Sequence, residues 1–577
     1  AITGAFTAPT GTMNVAGSFA NTGTFNHNSG TILFNGNTLI SGTSTSTFNT
    51  ISISGTMTGP AGTLNIVSNM INNGTFNHNS GTVVFDGSSA ISGTSTSGFN
   101  NITISGALTA AAGEMNIAGN FVNNGTFNHN SGTATFIGNT TVSGSSISSF
   151  RNVTVSGALT AAADLMNLSG NFSNSGTFNH NAGQIVFNGT SAISGTSTSG
   201  FNAITISGTL AAPAGAMNVS SNFVNNGAFS HNSGTVMFDG NSVIGGTSTS
   251  SFNVVVISGT ATAPTGTMNV ASNFVNNGAF NHNYGAVTFN GSSAIGGTSV
   301  SAFNNLVITG TLTAPAGAMN VASNFVNNGT FNHNSGTVTF NGNSIISGTS
   351  TSSFSTISIS GAVTAPTGTL NIASNFVNSG TFNHNSGTVM FNGNSAVSGT
   401  AVTTFNNLII TGVLTAPNGT LEINGNYSNN GTFNHNSGNV VFEGASASLL
   451  SGNTIFNSLT CTTPDKQLTF TAASTQTIAG TVTFAGANGN LVVLRSSVGG
   501  SQWYISVSGT SSVSYVDVRD SNAGGGNTIV ASASQDSLNN TNWVFSTAFY
   551  YVGGWTAYSA ELLVNANFET ALGAEWI

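Results

Sequence analysis

All nine histidines of this 577-residue chain sit in one motif, Phe-Asn-His-Asn or a near relative. They are His27, His78, His129, His180, His231, His282, His333, His384 and His435, each 51 residues after the one before (27 to 78, and so on). Imidazole chemistry offers metal ligation or a proton switch near neutral pH. A shared ion needs ligand bonds of about 2 Å, and copies stacked every ~10 Å cannot supply them. No Cys, Asp or Glu recurs beside the histidines to complete a ligand set. The motif therefore predicts a corner histidine bonded to an Asn-rich backbone, with a site between protofilaments or a pH response as the chemical alternatives. Strand alternation from Phe127 predicts His129 on the same side, with Asn128 and Asn130 opposite.

A second group lies late in the chain, where Asp517, Arg519 and Asp520 cluster and Asp536 follows about one turn on. Paired carboxylates can do acid–base work. With no matching cluster elsewhere, an acidic turn or a structural Ca²⁺ near Asp517 and Asp520 is the expectation, and no enzyme is predicted. The single cysteine, Cys461, permits no intrachain disulfide. It reads as a small inert thiol or an interchain link. The Thr94-Ser95-Thr96-Ser97 corner could face ice or sugar, but it becomes Ser145-Ser146-Ile147-Ser148 and Ala401-Val402-Thr403-Thr404 in other copies.

These residues need short β elements to place them. In the copy from Ser80 to Asn130, the segments Thr82–Phe85, Ala90–Gly93, Phe99–Ser105, Leu108–Thr109, Met115–Ile117, Asn120–Val122 and Thr126–His129 are separated by Gly, Asn or Ser. No stretch sustains a 3.6-residue period. An unbroken long repeat of short strands predicts an all-β parallel β-helix, or β-solenoid. It should be right-handed and wind about two rungs per 51-residue repeat, split near Gly106. Each repeat would advance about 10 Å, nine repeats on the order of 90 Å and the C-terminal rungs roughly 20 Å more.

The predicted core consists of Phe columns of like residues stacked along the axis. One is Phe25, Phe76, Phe127, Phe178, Phe229, Phe280, Phe331, Phe382 and Phe433; others start at Phe34, Phe48 and Phe19. Pro9, Pro60, Pro213, Pro264, Pro315, Pro366 and Pro417 hold a common corner, which Ala111 and Ala162 take over in two copies. Asparagines in register could bond along the stack.

Charged residues make up only 3% of the chain, with net charge −9, and Arg151 is the one basic residue before Lys466. That excludes nucleic-acid binding by a basic surface. No apolar run approaches the ~20 residues of a membrane helix. The 40 Phe exclude a disordered chain.

The pattern Asn-Asn-Gly-Thr-Phe, Gly-Thr-Val-x-Phe-x-Gly and Phe-Asn-Asn-Ile/Leu resembles the β-strand repeats of very large bacterial secreted and surface proteins. The resemblance covers residues 1 to about 545. It implies right-handed β-helices serving as adhesin stalks or fibres, located outside the cell or on its surface.

The regular solenoid is expected over 1–438, degenerate rungs and a cap over 439–548, and a tail, linker or docking segment over 549–577. Ala1 and Ile2 align with the interior of a strand in the next copy, so this end should be covered by more chain or by another molecule. Tyr550, Tyr551, Trp555, Leu562, Leu563, Val564 and Phe568 make the tail an assembly candidate. Head-to-tail contacts of this kind build open filaments. The expected function is a structural subunit of an extracellular bacterial filament, a homopolymer with surface glycans as further partners. The alternative is an adhesin stalk presenting a C-terminal carbohydrate-binding domain.

Overall fold

The computed structural model describes residues 1–546. The described residues are all β, without a helix, and form a parallel β-solenoid of about 28 turns with a spacing of about 19 residues. The chain divides into two compact units, Ala1–Thr404 with Gly412–Leu414, and Phe405–Thr411 with the residues from Thr415 onward.

In the first unit one repeat holds eight strands: Thr82–Phe85, Ser88–Ser92, Ser97–Phe99, Asn101–Ile104, Ala107–Thr109, Glu114–Ile117, Phe121–Asn123 and Thr126–Asn128. Each pairs in parallel with the third strand before and after it, so that Thr82 faces Asn101 and Ile102 faces Phe121. One turn is thus three strands and three corners. Eight strands at three to the turn make two and two-thirds turns per repeat, an advance of about 13 Å. Roughly 20 such turns in this unit correspond to on the order of 100 Å along its axis.

This corrects the expected two rungs per repeat. Phe99–Ser105 reads as one strand in the sequence, but the chain bends at Asn100 and leaves two strands, Ser97–Phe99 and Asn101–Ile104. The Asn100 side chain holds that bend by donating to Ser80 O at 2.7 Å.

The fractional turn moves every motif to the next face with each repeat. One eight-strand sheet runs from Ser46–Phe48 to Thr177–Asn179, the next from Ser97–Phe99 to Ala228–Ser230, the third from Ser148–Phe150 to Ala279–Asn281. The first face is regained by the sheet from Ser199–Phe201 to Thr330–Asn332, three repeats on. Since eight and three share no factor, each sheet contains each of the eight segment types once.

The core columns are mixed for the same reason, contrary to the expected stacks of like residues. Ser97, Met115, Ala134, Val153, Phe172 and Ile193 follow one another in a single column. The phenylalanines meet across the core instead. Phe150 lies 5.3 Å from Phe121, 5.4 Å from Phe127 and 5.8 Å from Phe136 by ring centroids, in tilted and edge-on contacts. Each buried ring contributes roughly 1.5–3 kcal/mol.

The second unit keeps three strands per turn but lengthens the turns. Tyr427 faces Leu450, Phe470 faces Ser496 and Val492 faces Val516, which are separations of 23, 26 and 24 residues. The extra residues lengthen both corners and strands, as in Thr481–Ala485, Val492–Ser496 and Trp503–Val507, and larger side chains fill the interior. Trp503 is fully buried and stacks on Phe470 with ring centroids 3.7 Å apart.

Candidate functional site

The histidine corner is built from two consecutive residues in the left-handed region. After the strand Thr126–Asn128 the chain passes through Asn130 at φ 46° and Ser131 at φ 62°. Three side chains make this conformation tolerable. Asn128 Oδ1 accepts the Asn130 N–H at 3.0 Å, Asn130 Nδ2 donates to Ala110 O one turn below at 3.0 Å, and His129 Nδ1 accepts the Ser131 N–H at 3.0 Å.

The last contact recurs in all nine copies. The N–H groups of Ser29, Ser80, Ser131, Ala182, Ser233, Tyr284, Ser335, Ser386 and Ser437 donate to the Nδ1 of the histidine two residues earlier, at 3.0 to 3.2 Å. The left-handed turn follows the histidine, whose ring lines the same small recess as Phe127. Phe127 is buried while His129 is half-exposed.

An Nδ1 that accepts a bond carries no proton, so the neutral ring holds its hydrogen on Nε2. That is the reverse of a metal ligand, whose second nitrogen donates to a supporting group. Coordination through Nε2 would require giving up the corner bond. Successive histidines also face different sides, and those on one face are eight turns apart, about 38 Å. Burial holds the His129, His282 and His384 rings below the usual imidazole range, and for His129 the Arg151 guanidinium adds to this. His129 Nε2 lies 3.4 Å from Ser169 Oγ.

The acidic cluster is closed on itself. Asp517 pairs with Arg495, not with Arg519, and accepts the Ser537 hydroxyl at 2.5 Å. Asp520, buried at φ 58°, accepts the Gly500 N–H at 3.1 Å and Asn539 Nδ2 at 2.7 Å, and pairs with Arg519 at 3.3 Å. Burial raises its carboxyl, but these hydrogen bonds and the Arg519 charge outweigh that and hold it below the usual range. Asp536 faces Val518 one turn on and is occupied by Leu538 N–H and Asn540. All four oxygens of Asp517 and Asp520 thus take protein donors. Among the described residues no three His, Cys, Asp or Glu side chains gather as a metal-binding group.

Cys461 is fully buried, and burial pushes its thiol up to about 11, as for a small inert thiol. The Thr-Ser corner lines a groove of about 410 Å³ between Gly195–Thr198 and Pro213–Ala216, with no titratable side chain on its walls. Ile2 bridges Asn21, and its N–H donates to Ala20 O at 2.7 Å; Ala1 is exposed. Tyr550, Tyr551, Trp555, Leu562, Leu563, Val564 and Phe568 lie outside the described residues.

Two roles escaped the sequence. The asparagines Asn21, Asn72, Asn123, Asn174, Asn225, Asn276, Asn327 and Asn378 are buried within the first unit. They do not bond to one another along the stack; Asn72 Nδ2 bonds Thr96 O at 3.2 Å and Ser97 Oγ at 3.3 Å, pinning the long corner of the next turn. Their signal was their recurrence two residues before glycine, in Asn-Asn-Gly, Asn-Ser-Gly or, at Asn21, Asn-Thr-Gly, where the first Asn faces in. The other is Lys466, the chain's only lysine. It is fully buried and donates to Asn424 O, Gly444 O and Ser446 O at 3.1, 3.2 and 2.7 Å.

No protein-family model matches the chain, and neither the curated proteins nor the solved structures contain a match to it.

Proposed function

We propose that the chain is a structural subunit of an extracellular bacterial filament or surface appendage, assembled by head-to-tail stacking of β-solenoid rods. The observation that carries this reading is the distribution of the repeat over three faces in overlapping eight-strand sheets. Wherever one face reaches the end of a sheet, the other two are mid-sheet, so no transverse plane is weak on all sides. Such a body transmits tension along its axis through backbone hydrogen bonds, and a chain with only 3% charged residues adds little lateral repulsion. The role is mechanical, not catalytic.

The bacterial and extracellular placement rests on the resemblance of the repeat to large secreted proteins. Negative-stain microscopy of the purified chain over a range of concentrations tests the proposal. Filaments that lengthen with concentration are expected; uniform rods on the order of 100 Å that never lengthen would refute it. The second reading, an adhesin stalk, is favoured by the longer, unlike turns of the second unit, which suit a transition to a different module.

A further inference from the structure

We infer that the nine histidine corners make the solenoid acid-labile, each corner losing its internal acceptor when its imidazole takes up a proton. At neutral pH the ring nitrogen Nδ1 receives a backbone N–H in every copy. An imidazolium has two N–H donors and no acceptor. Protonation therefore sets Nδ1–H against the backbone N–H it formerly accepted, at a residue already in the left-handed region.

Other bonds also hold the corner, among them the Gly234 N–H to His231 O at 2.8 Å, but none of them takes the Ser233 N–H. The corner is clamped from below by a bond such as Asn232 Nδ2 to Ala212 O at 3.1 Å, and from above by Asn253 Nδ2 to Ser233 O at 2.7 Å. Both clamps act on the left-handed residues Asn232 and Ser233 themselves, and neither satisfies the Ser233 N–H.

Charged neighbours are few. Arg151 occupies the turn above His129, and Glu114 begins a strand on the turn below it, bonded to Thr135 Oγ at 2.6 Å. Asp164 lies on the turn below the His180 corner, its carbonyl accepting the Gln184 N–H at 2.7 Å. Tyr284 sits against His282 with ring centroids 5.9 Å apart. In the other copies, the adjoining Pro-x-Gly and Phe-Asn or Phe-Ser turns carry no titratable side chain. Repulsion between imidazoliums is not the main cause, because successive rings lie on different faces and about 13 Å apart along the axis, beyond a Debye length of about 8 Å. Each corner responds to pH by itself, and nine small effects add along one rod. At His129, His282 and His384, whose rings lie below the usual imidazole range, the contribution is full above that range and is lost as pH falls through the folded-state value.

Asparagine is the test residue, since its side chain can accept the N–H two residues on without titrating. Asn128 already does so for Asn130 at 3.0 Å. Thermal unfolding of the full chain is measured at pH 7.5 and 5.0, for the native sequence and for a variant with His→Asn at all nine positions. The native melting temperature should fall on acidification, and the variant should lose most of that drop. An equal melting temperature at both pH values, or an undiminished drop in the variant, overturns the inference. If the nine-fold variant does not fold, His231→Asn replaces it, read by amide hydrogen exchange at Ser233 and corrected for the intrinsic rate. Native protection there should decline at least ten-fold between the two pH values and the variant's should not; matched behaviour overturns the inference as well.

Discussion

Asn174 and Ser199 lie on successive turns and meet inside the solenoid, with Asn174 Nδ2 donating to Ser199 Oγ at 3.3 Å and to Thr198 O at 3.2 Å. The carbonyl end of the same amide accepts the Gly176 N–H at 3.2 Å. One buried side chain thereby fixes both its own turn and the long corner above. Gly195 belongs to the same arrangement. Its φ of 107° is open to glycine, and a Cβ there would come within 2.0 Å of Asn174 O.

Asn174→Ala should therefore cost about 1–3 kcal/mol, because it strands a carbonyl and a hydroxyl that water cannot easily reach. Urea unfolding followed by circular dichroism checks this. A midpoint equal to that of the native chain would show that the corner holds itself.

Phe150→Ala should cost about 3–5 kcal/mol, since the ring touches three others and leaves a cavity. In a solenoid each turn contacts only its neighbours, so the damage should remain local. Hydrogen exchange should show lost protection around residues 121–150 and native protection near Phe354. Uniform loss along the first unit would contradict a nearest-neighbour fold.

Lys466→Met keeps the length of the side chain but leaves three carbonyls without a donor. About 1–3 kcal/mol should be lost, seen as a lower melting temperature. An unchanged transition would mean that these carbonyls recover solvent at little cost.

Asp520 gives a pH dependence of defined sign. Its folded-state value lies below the ordinary 3.8, so the ionised form is favoured by folding. The stabilisation is complete above that ordinary value and is lost as pH falls through the folded one. Asp520→Asn should lower stability at pH 6 and narrow the gap to the native chain near pH 2. A gap that is constant with pH would assign the effect to packing.

The strands, their parallel stacking and most of the core were legible in the sequence, because Phe, Ile and Val alternate with polar residues and Gly or Asn breaks each run. The length of a turn was not. A period of 51 residues records when a motif returns, not where the chain closes, and only the bend at Asn100 reveals the eighth strand. The inward face of Asn72 was hidden for a related reason, since an asparagine beside glycine reads equally well as a solvated corner. The pairing of Asp517 with Arg495 was beyond reach, because 22 residues separate them and nothing local sets the length of that turn.

The two-thirds turn left over by each repeat makes copy number an angular variable. Inserting or deleting one 51-residue copy within the first unit leaves every core contact type intact, yet swings the surface beyond it round by 120° to another side. A change of three copies restores the original bearing and alters only the reach. Recombination among near-identical repeats would thus reset the direction in which any one exposed residue points, without any substitution.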